Sequence, residues 1–290
     1  MKPIQLLYCG NDESYEEILL SLLSVMRHSS RSLQVILLTA CLDRYDGKPI
    51  SSEKADYLNG LLKSRGEQNG LTLIDLTSKA QEQLSTITDV RVTDSPYPLL
   101  ALLTDQIFDA LAEDKLLYLD KGTIAAADIG RIFDADMGTS AYGGVRDQYA
   151  PFFLLGEYIS GGALLFDLKN AKEQHLFEKA REICQGNEWL DPLPTSLYLS
   201  DCTRTFFKSN FNEQRCLKSD TVVRYYGNKA RFLPVFHFER QDIRKRSILS
   251  KKERAFFSGV YDQFYLYRDG YREGGTVEEK TSNNLTERRK

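Results

Sequence analysis

The first third of the chain alternates short apolar runs with longer amphipathic ones, and that alternation restricts the fold more than any other feature. Residues 4–9 (IQLLYC), 33–39 (LQVILLT) and 71–76 (LTLIDL) read as strands of the buried, parallel kind. Between them a helix is predicted after Ser14, where Ser14-x-x-Glu17 has capping-box spacing, and a polar-faced helix over 51–65. Strand, helix, strand, helix, strand in this order requires right-handed crossovers and a mostly parallel sheet. The pattern continues with a helix over 96–112, a strand over 116–119 that ends at Asp120, strands over 141–145 and 162–166, and a helix over 168–184. The expected class is α/β, a mostly parallel sheet flanked by helices.

Composition narrows the function. The chain has 290 residues, 42% of them hydrophobic, which is enough to bury a sizeable core. A net charge of −3 gives no support to a polyanion-binding role. No apolar run approaches the roughly 18 residues of a membrane span. Five cysteines without CxxC spacing argue against a disulfide framework and against structural zinc, so a cytoplasmic protein is expected. Cys9 and Cys41 are read as packing residues, His28 and His175 as surface residues, and Trp189 as packing. The sequon at Asn284 is read as chance.

In open α/β sheets ligands lie beyond the carboxyl ends of the strands. That rule selects Gly10-Asn11-Asp12, Asp120-Lys121-Gly122 and the turns around Gly161-Gly162. Glycine permits close backbone approach to a ligand, and equally serves as a plain turn residue.

Several blocks together resemble bacterial family 8 glycosyltransferases. They are IQLLYCGND, LLSLLSVMRH, LQVILLT, LLYLDKGTIAAADI, YGGVRD, YISGGALLFDLKNAKEQHLFEKAREIC, NFNEQRC and FLPVFHF, in family order over roughly residues 4 to 250. The resemblance implies a GT-A type, Rossmann-like domain over 1–235, followed by a small basic and aromatic C-terminal extension over 236–271, and the near-absence of aliphatics (only Val277 and Leu285) predicts a disordered tail over 272–290. The resemblance also implies retaining transfer of a hexose from a UDP-sugar to a saccharide acceptor, assisted by Mn²⁺ or Mg²⁺. Such a cation, held by carboxylates and an imidazole, offsets the charge of the diphosphate leaving group.

Carried over by position, the resemblance makes Asp120 and His237 metal ligands. Asn11, Asp12, Asp147 and Ser160 become contacts to the nucleotide-sugar. The sequence also departs from the family. Gly122 stands at the second metal aspartate, and Ala101 at a donor-binding arginine. Thr195 and Ser196 replace an aspartate-glutamine pair next to the reacting centre, and Ser160 replaces an asparagine. Lys121 brings a positive charge to the metal position if it points inward. The family's late lysine is missing, with Arg244, Lys245 or Arg246 as substitutes.

Two readings follow. One is a working but weakened transferase. The other is a non-catalytic relative that needs no metal and acts as partner or regulator of an active glycosyltransferase. Residues 240–254 add seven basic residues against Asp242 and Glu253, ahead of Phe256-Phe257. This stretch reads either as a solvated helix face or as a peripheral contact with the inner face of the membrane.

Overall fold

A computed structural model describes residues 2–42, 47–84, 97–148, 158–185, 192–227, 229–231, 237–239 and 241–272. At 192, 229–231, 237 and 238 the backbone alone is described. Trp189, Arg240, Asn284 and the expected tail beyond 272 lie outside these residues.

The strands are β1 (Ile4–Cys9), β2 (Leu33–Thr39), β3 (Gly70–Asp75), β4 (Lys115–Leu119), β5 (Thr123–Ala125), β6 (Tyr142–Arg146), β7 (Ile159–Asp167), β8 (Arg204–Phe206), β9 (Val223–Tyr225), β10 (Lys229–Arg231) and β11 (His237–Glu239). The α-helices are α1 (Tyr15–His28), α2 (Ser52–Ser64), α3 (Thr77–Leu84), α4 (Gly130–Phe133), α5 (Leu168–Glu173), α6 (Leu176–Cys184), α7 (Pro192–Leu199), α8 (Lys251–Phe256) and α9 (Ser258–Arg272). A seven-stranded sheet runs in the order β3-β2-β1-β4-β7-β6-β8. It is mostly parallel, with β7 running against both β4 and β6.

Strand alternation builds the core in two layers, one on each face. Ile4, Leu6 and Tyr8 of β1 enter the layer shared with Leu22 of α1, Leu58 of α2 and Phe264 of α9. Leu7 and Cys9 point the other way, toward Leu100 and Phe177. Both faces are covered, which is why β1 reads as continuously apolar. The C-terminal residues Ile243, Leu249, Phe257, Val260 and Tyr261 belong to the first layer. The Tyr57 hydroxyl also donates to the Tyr267 carbonyl at 2.9 Å, fastening α9 over α2.

Three local expectations need correction. Ser14 does not form a capping box with Glu17. Ser14 and Asn11 cap each other reciprocally around a short 3₁₀ turn, and Glu17 is buried. The single helix expected over 168–184 is two helices, because His175 adopts φ 55° between α5 and α6. The segment expected as a helix over 96–112 is a 3₁₀ helix, Tyr97–Ala110.

One buried ion pair joins β9 to α8. Arg224 on β9 donates from Nε to Glu253 Oε1 at 2.8 Å, with both side chains under a tenth exposed. Its remaining donors reach the carbonyls of Glu213 and Arg215 at 3.1 and 3.0 Å, and the guanidinium stacks on Tyr226. Glu253 Oε2 accepts the Ser250 N–H, so one carboxylate caps α8 and holds β9. Burial alone would raise the Glu253 carboxyl. The bonds from Arg224 and Ser250 outweigh it and hold the group below its ordinary value.

Breaking this pair leaves a buried charge alone. Glu253→Ala should cost about 3–5 kcal/mol in denaturant unfolding, and replacing both partners with apolar residues should cost less. Acid titration gives an independent check. Glu253 and Glu213 both titrate below their ordinary value, so the unfolded chain binds more protons than the folded one there. Their contribution is complete above about pH 4.3 and is lost as pH falls through the folded values. Glu253→Gln should flatten that acid limb relative to the wild type.

Candidate functional site

β4 and β7 meet at the carboxyl end of the sheet, and the site is built there. Asp120 follows β4 directly, and its N–H donates to the Gly162 carbonyl at 3.0 Å. Asp120 Oδ1 accepts the Gly122 N–H at 2.8 Å, and its carbonyl accepts the Thr123 N–H at 3.0 Å, which folds 120–123 into a tight turn. On the other flank, β7 carries four residues, 160–163, between ladder partners where β6 carries one, Val145. This irregularity displaces Ser160-Gly161-Gly162 toward Asp120, a use of strand bulges common beside functional sites.

Glycines are required here by what lies above them. A Cβ on Gly162 would sit 2.5 Å from Cγ of Tyr225 and 2.9 Å from Oδ1 of Asn212. A Cβ on Gly122 would sit 3.0 Å from Asp120 Oδ1, 3.1 Å from the Tyr226 carbonyl and 3.4 Å from Tyr225 Cε2. The Tyr225 ring therefore lies between Gly122 and Gly162, next to Asp120.

Lys121 points the other way. Its ammonium meets Glu17 of α1 at 3.0 Å, with the two side chains 11% and 3% exposed. The positive charge is thus neutralised beneath the turn and does not stand beside the Asp120 carboxylate.

The other sequence-selected residues take varied places. Asn11 lies past β1, and its Oδ1 accepts the Ser14 N–H at 3.2 Å. Its Nδ2 and the Tyr97 hydroxyl both face Gly47, where a Cβ would lie 3.0 and 1.9 Å from them. Burial pushes the Tyr97 phenol up to about 12. Asp12 is paired with Lys54 at 2.5 Å. Asp147 follows β6, and its N–H bonds the Tyr158 carbonyl at 2.9 Å, two residues before Ser160.

Ser160 is fully buried, and its Oγ has no partner among the described residues. Thr195 and Ser196 are buried in α7, where Ser196 Oγ donates to the Leu193 carbonyl at 3.1 Å. Pro194 of the same helix packs against Gly161. Ala101 is fully buried in the second core layer. The guanidinium that does meet its helix is Arg181, bonded to Asp105 at 2.6 and 2.7 Å.

Cys9 supplies no nucleophile. Burial first, and the nearby Asp120 charge second, raise its thiol well above the ordinary value.

The fit to a divalent cation can be judged from these residues. Asp120 offers one carboxylate, and Gly122 offers none. A second carboxylate at 122 would crowd Asp120 and the Tyr226 carbonyl. No group of three or more His, Cys, Asp or Glu side chains among the described residues is arranged to hold a metal ion. The side chain of His237 lies outside the described residues. The described residues alone therefore do not make a metal site.

The basic stretch is partly neutralised within the fold, with Lys251 and Arg254 exposed on α8. Arg244 bonds Asp242 at 2.8 and 3.0 Å, Arg246 faces Asp262 at 3.6 Å, and Lys252 bonds the Leu217 carbonyl. Phe257 is fully buried, whereas Phe256 is exposed and stacked on His28. No helix among the described residues is long and apolar enough to cross a membrane.

Asn212 and Tyr225 were not selected from the sequence. Asn212 lies within the NFNEQRC block without being singled out there, Tyr225 lies in none of the blocks, and the chain's return through β9 brings both to Gly162.

No protein-family model and no curated protein sequence matches the chain. Solved structures do. An active-site mutant of LgtC matches with a TM-score of 0.65 and 13% identity, over 90% of this chain and 96% of that one. The glycosyltransferase GlyE of Streptococcus pneumoniae TIGR4 matches at 0.61 and 15%, over 94% of this chain and 64% of GlyE. The bifunctional glycosyltransferase WbbM matches at 0.55 and 18%, over 72% of this chain and only 39% of WbbM. The chain thus corresponds to nearly all of LgtC and to a part of the two longer proteins. With its mostly parallel sheet and its site at the β4–β7 junction, the chain has the GT-A fold of these glycosyltransferases.

Proposed function

We propose that the chain is a glycosyltransferase of the family 8 kind, transferring a hexose from a UDP-sugar to a hydroxyl of a glycan or glycoconjugate with retention. One observation carries this reading. Asp120 stands at the carboxyl end of β4, in contact with the displaced Ser160–Gly162 segment, within a GT-A fold. That is where an open α/β sheet receives its ligand.

In this reading Asn11 and Asp12 border the nucleoside, while Asp147 and Ser160 flank the sugar. Asp120 would be a ligand of Mn²⁺ or Mg²⁺ if His237 and the diphosphate complete the set, and the ion would supply charge compensation for the leaving group. The residues themselves orient the donor and exclude water from its anomeric carbon. Partners would be the UDP-sugar and a saccharide acceptor, with a second glycosyltransferase subunit as a further candidate. Cysteine usage favours the cytoplasm, and contact of 240–257 with the inner membrane face is favoured by exposed Lys251, Arg254 and Phe256 of α8.

A second reading, a non-catalytic relative that regulates an active transferase, rests on three departures from the family pattern. Gly122 cannot ligate, Ser196 is bonded inward, and Ala101 is in the core. Losing one contact in a preorganised charged site costs roughly 10²–10³ in rate, so the two readings differ measurably.

Release of UDP from UDP-glucose and UDP-galactose, with and without Mn²⁺, should show slow turnover. Asp120→Asn should lower it roughly 10²–10³-fold while leaving the fold intact, because an amide Oδ1 still accepts the Gly122 N–H. Calorimetry should show UDP binding in both forms. Turnover absent alongside clear UDP binding would favour the non-catalytic reading. No UDP binding at millimolar concentration would remove the transferase.

A further inference from the structure

One buried side chain beside Asp120 has no part in holding the fold. Asn212 is 1% exposed, and neither its Oδ1 nor its Nδ2 has a hydrogen-bond partner among the described residues. Buried carboxamides are paired in nearly every native structure, so an unpaired one marks a place where another group supplies the bonds. The amide does not face away from the site. Its Oδ1 and the Tyr225 ring both approach Gly162, at 2.9 and 2.5 Å from a Cβ placed there. The Gly162 carbonyl in turn takes the Asp120 N–H. Carboxamide and aromatic ring thus share the space over Gly162, whose carbonyl is bonded to the Asp120 N–H.

The chemistry of that space selects its ligand. A carboxamide both donates and accepts, and so does a sugar hydroxyl. It carries no charge, and its oxygen would face a phosphate unfavourably. Tyr225 adds a flat apolar wall, suited to the C–H face of a pyranose. We propose that Asn212 and Tyr225 form a hexose subsite, in which the Asn212 carboxamide bonds a ring hydroxyl of the donor sugar. This rests on the transferase reading above. Because the amide is almost fully covered, its neighbours have to shift as the sugar enters.

The test compares UDP, UDP-glucose and UDP-galactose. Calorimetry on the full chain should show a UDP-hexose binding at least tenfold more weakly to Asn212→Ala than to the wild type. UDP alone should bind the two within twofold. Asn212→Asp, which keeps the shape of the side chain, serves where the alanine variant does not fold. In ¹⁵N spectra of the wild type, the Asn212 side-chain NH₂ signals should shift with the UDP-hexose and stay in place with UDP. Signals that stay in place while a UDP-hexose saturates the protein overturn the subsite and leave the transferase reading standing. So do variant affinities equal to wild type. Absence of binding by UDP and both UDP-hexoses overturns the transferase reading, and the subsite with it.

Discussion

The ion pair between Lys121 and Glu17 sets the direction of everything around Asp120. Lys121 is anchored into α1, while the Asp120 carboxylate is held separately by the Gly122 N–H. Glu17 lies on a helix already fixed by its buried apolar face, so the anchor is stiff. A lone lysine beside a carboxylate would cancel the charge that a cation, or a developing positive centre on a sugar, needs. Buried pairs of this kind seldom add net stability, and a role in fixing geometry accounts better for this one.

From that orientation the remaining walls follow. Gly122 is kept free of a side chain by Tyr226 and Tyr225, and Gly162 by Tyr225 and Asn212. Tyr225 ends, and Tyr226 directly follows, the strand that Arg224 and Glu253 secure to the C-terminal helices. The C-terminal residues therefore act on the site at a distance, by holding β9 in place rather than by reaching into the cleft.

Much of this was legible in the sequence, and the failures have identifiable causes. The strands 4–9 and 33–39 are buried on both faces, so their apolar runs carry an unambiguous signal. Asp120 was legible because it directly follows such a run. The capping assignment at Ser14 failed because Glu17 had a stronger partner far away, Lys121, which spacing cannot reveal. The break at His175 has no glycine or proline to announce it. Asn212, inside the NFNEQRC block, and Tyr225, outside all the blocks, were not recognisable as site residues for the opposite reason to Asp120. Their importance lies in what they face, and that comes from long-range pairing of β5 with β9. Thr195, Ser196 and Ala101 were chosen by alignment to family positions, and their burial is a property of the assembled helices alone.

The reversed strand β7 has a consequence for how the molecule comes into being. Its partners β4 and β6 both precede it, but the ring that closes over its glycines is supplied about sixty residues later in the chain. Contacts of such separation carry a large loop-closure cost and form late. A ribosome-bound chain halted before β9 could complete the whole central sheet and still lack the wall of the site. Binding competence would then arrive as a single late event, together with the C-terminal residues that complete the first core layer.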